Sequence, residues 1–443
     1  MQSATHPPRP SKTQQPIFQS KEMRRILASS FIGNVIELYD FMLYATAAAV
    51  VFGPLFFAGQ GSAIATIASF GTLAVGYFAR PLGGILFGHF GDRFGRKTTL
   101  VVSMTGMGIA TVAIGLLPTA AQIGPAAPIL LVAARIVQGL AVGGEWGGAV
   151  LIAFEHAPEK RRGYAASFAN MGSGVGVALA TLVFSAFTLL PEDAFLSWGW
   201  RVPFLLSFAL IVVGMVIRLS VSESPVFQDL ERRAEARRVP VIEVLSKHSR
   251  SVVLGLFGGL SIYAIAGMVA VWGLSHAIEA GADATGALNA KAAAAVGAFV
   301  MTIIGARLSD RIGRKPVLLA GVALGAAFAF PILYLMDAGT VAGYAAAVIL
   351  GQLIQGLLLG PIGAFIAELF PTRVRYTGVS VAYQGASAIG SGLTPVIASG
   401  LLLLSNGSLV LLGIGWIGGL LVCGFAIAMT REGREANIQD IQQ

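Results

Sequence analysis

The ten residues from Gly88 to Lys97, with Asp92, Arg93, Gly95 and Arg96 between them, return 218 positions later as Ala306 to Lys315, with Asp310, Arg311, Gly313 and Arg314 in matching places. Each copy lies between two long apolar stretches. A chain of 443 residues that repeats itself at half its length is two copies of one unit. Hydrophobic residues make up 55% of it and charged residues 12%, more apolar sequence than a water-soluble core can bury. The expected fold is an all-α membrane protein.

A span needs about 20 apolar residues. Twelve can be placed, near 26–56, 63–87, 98–118, 128–156, 164–190, 200–221, 251–278, 286–306, 316–336, 341–369, 377–403 and 408–430, six to each half. The 56 glycines fit such spans, since small residues let backbones approach. Gly84/Gly88, Gly139/Gly143, Gly144/Gly148, Gly172/Gly176 and Gly255/Gly259 all have the small-xxx-small spacing. Repeated membrane halves commonly hold a substrate between them near the bilayer midplane, so transport is the first reading.

The domain expectation follows from composition. Residues 1–22 are rich in Pro, Ser and Gln and read as a disordered tail. A first bundle runs over 23–221, a polar linker with a surface helix over 222–250, a second bundle over 251–430 and a tail over 431–443. Arg24 and Arg25 before an apolar run suggest a signal peptide, but Glu37 and Asp40 interrupt the run and the tail before it is too long. Cys423 is the single cysteine and excludes an intrachain disulfide.

Net charge +8 and pI about 9.8 do not point to nucleic acid, because the charges are sorted by side. Arg93, Arg96, Lys97, Lys160, Arg161, Arg162, Arg311, Arg314 and Lys315 fall on the side of both termini, and the other side carries essentially Arg201. This asymmetry predicts cytoplasmic termini and a lipid-bilayer environment.

Ionisable groups inside spans cost roughly 2.5–3.5 kcal/mol on insertion scales and mark functional sites by default. In span one, Glu37, Asp40 and Tyr44 fall within a narrow arc of one face. In span four, Arg135, Gln138, Val142 and Glu145 share a face. Asp40 and Arg135 lie at similar depth by a rise of ~1.5 Å per residue, which predicts either a proton switch, with Asp40 pairing to Arg135 when charged, or a static pair that fixes helix register. Glu37 and Glu145 are further proton-coupling candidates, Glu145 against the plainer reading of a hydrogen bond across a close helix contact. Arg80 either coordinates an anion or snorkels to the interface. With Tyr44, Gln138, Tyr263, Trp272, Gln355 and Tyr383, Arg80 makes up the substrate-binding candidates; Gln352 and Gln384 belong with them, and each of the second-half residues reads equally as bundle packing. Asp92, Arg93, Arg96, Lys97, Asp310 and Arg311 are candidates for a latch that closes the basic side, against the plainer reading of topology-setting charge.

Gly413, Gly415 and Gly418 match a nucleotide-binding glycine pattern, but inside a span with no preceding strand they read as helix packing. The five histidines show no metal-ligand spacing, and His276 pairs weakly with Glu279. No cofactor is expected.

Together, the repeated G-x-x-x-D-R-x-G-R-K loop and the R-x-x-Q-G of span four resemble the major facilitator superfamily. Glu37-Leu-Tyr-Asp40-Phe41, Ala79-Arg80-Pro81, Gly144-Glu145-Trp146, Trp200-Arg201-Val-Pro203-Phe204, Ser224-Pro225 and Pro371-Thr-Arg373-Val-Arg375 are similar to its metabolite:proton symporter branch, which includes shikimate, α-ketoglutarate and proline/betaine permeases. The resemblance covers about 22–430 and implies two six-helix bundles, alternating access, and Asp40 and Arg135 in proton-coupling positions. It implies small-molecule substrate and protons as partners, with action as a monomer. Osmolyte-transporting members typically carry a C-terminal coiled coil, which a tail ending at Gln443 is too short to form, and drug antiporters carry G-x-x-x-G-P where Val177 follows Gly176. Carboxylate import is therefore favoured over osmolyte uptake. A sensor on the same fold would be expected to carry a signalling domain, and an intramembrane enzyme a nucleophile or metal cluster; neither is visible.

Overall fold

A computed structural model describes residues 21–59, 61–94, 96–143, 146–147, 150, 153–154, 161–219, 240–371 and 374–433. Residues 1–20 of the expected disordered tail over 1–22 and most of the expected linker lie outside them; Lys21 and Glu22, expected in that tail, are helical and begin the first span, and a helix over Pro240–Lys247 is the described part of the linker.

A helix lies at each of the twelve expected spans; among the described residues eight are long and apolar enough to cross a membrane, a ninth is a bent pair, and two are shorter apolar helices. We label them α1 (Lys21–Val50), α2 (Ser62–Phe94), α3 (Arg96–Leu116), α4 (Ala126–Val142), α5 (Arg162–Phe187) and α6 (Val202–Leu219) in the first half. The second half holds α7 (Ser249–Glu279), α8 (Ala284–Ile312), α9 (Arg314–Ala327 with Ala329–Asp337, bent by 45°), α10 (Val341–Glu368), α11 (Arg375–Leu404) and α12 (Leu409–Ala428). No strand occurs among the described residues. On length and apolarity alone α1 is not a span, because Glu37 and Asp40 lower its hydropathy. Packing makes it one, with Tyr39, Phe41, Leu43 and Tyr44 at 0–1% exposure.

Turn chemistry sets the helix starts on the side opposite the termini. Gly339 at φ 62° is followed by Thr340, whose hydroxyl accepts from the Gly343 nitrogen at 3.1 Å and caps α10. Gly407 at φ 85° and Ser408 open α12 in the same way. A left-handed glycine reverses the chain, and the hydroxyl after it satisfies a first-turn donor.

Glycine also sets the packing, alike in both halves. A Cβ on Gly143 of α4 would lie 2.7 Å from the Gly83 carbonyl carbon of α2 and closer still to the Arg80 oxygen. On Gly360 of α10 it would lie 2.6 Å from the Thr302 oxygen of α8. The expected Gly139/Gly143 spacing thus seats α4 on α2, and its repeat Gly356/Gly360 seats α10 on α8. Gly172 and Gly176 admit α1 against α5, and Gly255 and Gly259 admit α11 against α7. Gly144 and Gly148 lie outside the described residues.

Two π-helical turns interrupt the second half, Gly267–Trp272 in α7 and Ala388–Leu393 in α11. They pack on one another, and the α11 turn also meets α2, where a Cβ on Gly392 would lie 3.1 Å from that of Tyr77.

The halves touch on both faces. Near the chain ends, Asn170 of α5 donates to the Leu359 oxygen at 3.1 Å and Gln384 of α11 donates to the Gly143 oxygen at 3.3 Å. Opposite, Thr66 donates to Glu279 at 3.1 Å, Ser185 to Asn289 at 2.8 Å, and Thr188 meets Thr285 at 2.8 Å.

Candidate functional site

Among the described residues, four charged side chains are buried within the first half: Glu37 (3% exposed), Asp40 (0%), Arg80 (4%) and Arg135 (0%). If all four are ionised their charges cancel, the condition under which such groups tolerate a low dielectric. Their pairing differs from the expectation. Asp40 does not meet Arg135; it accepts from Ser207 of α6 at 2.7 Å and Thr111 of α3 at 3.0 Å. Arg135 donates to Gln138, and Gln138 donates to the Thr111 hydroxyl at 2.7 Å. Asp40 and Arg135 are therefore linked through Thr111 and Gln138. The reason is angular: three residues turn a helix by about 300°, so Glu37 and Asp40, though near one face, address different neighbours.

Glu37 faces α2, where Arg80 Nη2 lies 3.4 Å from its carboxylate. Arg80 points inward, not to the interface, with its guanidinium carbon 3.6 Å from the Phe41 ring centroid. The Arg135 carbon lies 4.1 Å from the same ring and 4.0 Å from that of Tyr44. Room for Arg135 comes from Gly76, where any Cβ would overlap the arginine chain. Aromatic faces hold both cations without consuming their donors: Arg80 Nε, Arg135 Nε and Arg135 Nη2 are buried and donate no hydrogen bond. Tyr44 gives its hydroxyl to Thr72 at 2.6 Å, so it supports Arg135 and holds no spare donor.

The second half contributes aromatic rings. Tyr263 of α7 and Tyr383 of α11 meet edge to face with centroids 5.3 Å apart. Trp146, beyond α4, stacks on Tyr383 from the first half and donates to Asn170 at 2.9 Å. Gln355, which repeats Gln138, has a buried carbonyl oxygen with no donor; Gln352 occupies the position that Arg135 holds in the first half. Trp272 is not brought to this cluster. It stacks on His276 at 4.7 Å, and His276 meets Asp337 at 2.9 Å, while the expected partner Glu279 accepts from Thr66 and Ser275. Glu145 lies outside the described residues.

The second basic loop forms a contact between halves. Asp310 accepts from the backbone nitrogens of Gly163 and Tyr164, both at 3.0 Å, at the start of α5. First-turn N–H groups have no partner inside their helix and attract negative charge. Arg314 holds Asp310 at 2.7 Å and reaches Glu368 at 3.3 Å; Glu432 accepts from the Arg314 and Lys315 nitrogens at 2.9 and 3.0 Å. Arg311, expected in this latch, is exposed, and Arg314 takes the inward place. Of the first loop, Asp92 and Arg93 end α2 and Arg96 and Lys97 begin α3; their side chains lie outside the description.

Sequence reasoning missed Thr111, Ser207, Arg314, Glu368, Glu432 and the fully buried Lys291 of α8. The repeat does signal Arg314, at the place of Arg96. Thr111 and Ser207 carry no signal, as hydroxyls are ordinary in spans.

The Asp310 contact is testable with a disulfide. A Cβ on Gly363 of α10 would lie 3.6 Å from that of Ala166 of α5, within bonding range for a cysteine pair. In an Ala166→Cys, Gly363→Cys protein, Asp310→Ala is expected to lower crosslink yield at short reaction times. Hydrogen bonds to a charged group contribute about 1.5–3 kcal/mol, so the closed-to-open ratio should fall about 10- to 100-fold. An unchanged yield would leave Asp310 without a latching role.

Comparison with known proteins accords with this architecture. Residues 28–395 match the Major Facilitator Superfamily. The chain is 41% identical over 384 residues to the inner membrane metabolite transport protein YhjE of Escherichia coli K12, covering 85% of this chain and 87% of that one. It is 36% identical over 423 residues to the shikimate transporter of the same organism, covering 93% and 95%. The D-xylose-proton symporter crystal structure superposes with a TM-score of 0.72 at 18% identity, covering 94% of this chain and all of that one, a likeness of fold. With a matching family model over most of its length, twelve spans in two halves and curated relatives that are transport proteins, the chain belongs to the Major Facilitator Superfamily, a family of multi-pass membrane transporters and not of enzymes.

Proposed function

We propose that this protein imports a small carboxylate metabolite by proton symport, alternating access between the two sides of a bacterial inner membrane with its termini in the cytoplasm. The observation that carries the reading is the pair of arginines, Arg80 and Arg135, stacked at Phe41 with donors to spare. A carboxylate has the charge and the lone pairs for those donors. The shikimate and metabolite transport proteins among the relatives support the substrate class.

Charge balance supplies the coupling. Glu37, Asp40, Arg80 and Arg135 sum to zero when ionised. A proton on Asp40 leaves one excess positive charge, and one substrate carboxylate restores neutrality. The empty deprotonated site and the loaded protonated site are both neutral, so both can be enclosed at low cost; a site with only one of the two cannot. Thr111 and Gln138 carry the change from Asp40 to Arg135, because protonation turns an acceptor of the Thr111 hydroxyl into a donor.

Uptake into proteoliposomes under an acid-outside gradient tests this, with labelled shikimate, α-ketoglutarate, citrate, a monocarboxylate, proline and betaine. Gradient-dependent accumulation of one acid is expected; accumulation that ignores the pH gradient would end the symport reading. A second reading, uptake of betaine or proline, draws on the rings of Trp146, Tyr263 and Tyr383, which suit a quaternary ammonium. Accumulation of betaine or proline alone would establish it.

A further inference from the structure

Lys291 lies seven residues into α8, with 0% exposure, in a run of alanines. Its ammonium donates to the Thr46 hydroxyl of α1 at 2.9 Å, across the boundary between halves. Thr46 gives its own proton to the Met42 oxygen at 2.7 Å, so it serves Lys291 as an acceptor only. Two of the three ammonium donors remain, with no acceptor among the described residues. No carboxylate stands within ion-pair distance of Lys291 there either. On the elements packed around it every described acid is engaged elsewhere: Glu37 with Arg80, Asp40 with Thr111 and Ser207, Glu279 with Thr66 and Ser275, Asp337 with His276, and Asp310 and Glu368 with Arg314. Asp283 caps its own helix through Gly286.

A buried ammonium without a counter-ion destabilises the protein that holds it. It lies outside the neutral set of four, on the side away from the termini. Thr46 is nine residues along α1 from Glu37, about 13 Å by helix rise, which sets Lys291 on the outer side of the Glu37–Arg80 pair.

We propose that Lys291 is a carboxylate-binding station on the outer part of the path, met by the substrate before Arg80 and Arg135. It rests on the reading of the protein as an importer of carboxylate-bearing metabolites, zwitterions included. When the halves part on that side, the bond to Thr46 breaks and the ammonium faces water. A substrate carboxylate then takes the place of Thr46. Closure restores the Thr46 bond and releases the carboxylate inward, so Thr46 competes with the substrate for the same cation.

Two measurements decide it. In the first, purified protein is melted with graded sodium acetate, succinate or shikimate, with succinamide as the uncharged control. The wild type is expected to show a saturable rise in Tm with at least one carboxylate and none with succinamide. Lys291→Met should weaken that response about 10- to 100-fold, the loss of a charged hydrogen bond, and Lys291→Arg should keep part of it. In the second, labelled shikimate and α-ketoglutarate are followed in right-side-out and inverted vesicles. KM for entry from outside should rise by the same factor in Lys291→Met, while KM from the cytoplasmic side stays within twofold. A side chain that merely supports packing would move both sides together, and that result overturns the proposal. So does a wild type with no carboxylate response, or a Lys291→Met protein that responds as the wild type does. A response lost in Lys291→Met, in a protein that accumulates no labelled carboxylate, would keep the station and remove the transport reading on which it was placed.

Discussion

Asp40→Asn abolishes accumulation of substrate against its gradient and leaves counterflow running. The amide keeps the shape of the site: its oxygen can accept from one of Ser207 and Thr111 while its nitrogen donates to the other. What it cannot do is change charge. With Asp40 neutral at every pH, Glu37, Arg80 and Arg135 carry one net positive charge permanently, and only the substrate-loaded form is neutral. Loaded protein then crosses between its two open states, which is counterflow, but the empty return step that completes net uptake carries an uncompensated charge. A one-unit pH difference supplies at most about tenfold accumulation per proton, and the ratio in the variant should fall to about one. Uptake driven by ΔpH and counterflow measured in the same proteoliposomes separate the two. Accumulation that persists in Asp40→Asn would move the proton to another acid, and loss of both modes would make Asp40 a binding or folding residue.

Gly143→Val produces the largest structural effect. The new Cβ would fall 2.7 Å from the Gly83 carbonyl carbon and nearer to the backbone of Arg80 and Gly84, atoms that cannot rotate away. Relief requires α2 to move off α4, carrying Arg80 away from Glu37 and Phe41. Overpacking a core costs about 1–3 kcal/mol in ordinary cases, and a clash with backbone belongs at or above the top of that range. The expected outcome is protein that leaves a detergent gel-filtration column aggregated, or melts far below the wild type. Gly71→Ala is the control in α2, since nothing lies within 4 Å of a Cβ there. Equal melting temperatures for the two variants would mean that α2 and α4 are not seated by this contact.

Much of this arrangement is legible in the sequence because membrane helices expose their rules locally. Apolar runs place the spans, the repeated loop places the halves, and Gly139/Gly143 announces a close contact from spacing alone. Buried charges are equally visible: Glu37, Asp40, Arg80 and Arg135 stand out against apolar neighbours. What they pair with is not visible, because periodicity fixes a direction within tens of degrees and the partner depends on which helix fills that sector. Asp40 and Arg135 therefore read as a direct pair, yet Thr111 and Gln138 stand between them. Lys291 escaped notice for a related reason. Close to the start of its span it resembles a residue that reaches for water, and only the position of α1 shows Thr46 in the way.

The π-helical turns give the two copies different mechanical properties. Such a turn holds one residue more than an α turn and loosens the hydrogen-bond ladder locally. Among the described residues both turns fall in the second half, in α7 and α11, where they bear on each other and, through Gly392, on Tyr77. The first half carries Asp40 and Arg135 on helices without such a turn, and Arg80 beside Pro81, which removes one ladder bond of α2. Sequence symmetry thus conceals a difference of backbone: among the described residues only the second copy carries π-helical turns. Motion during the cycle should concentrate in α7 and α11, so that amide exchange there is faster than at the matching depths of α1 and α5.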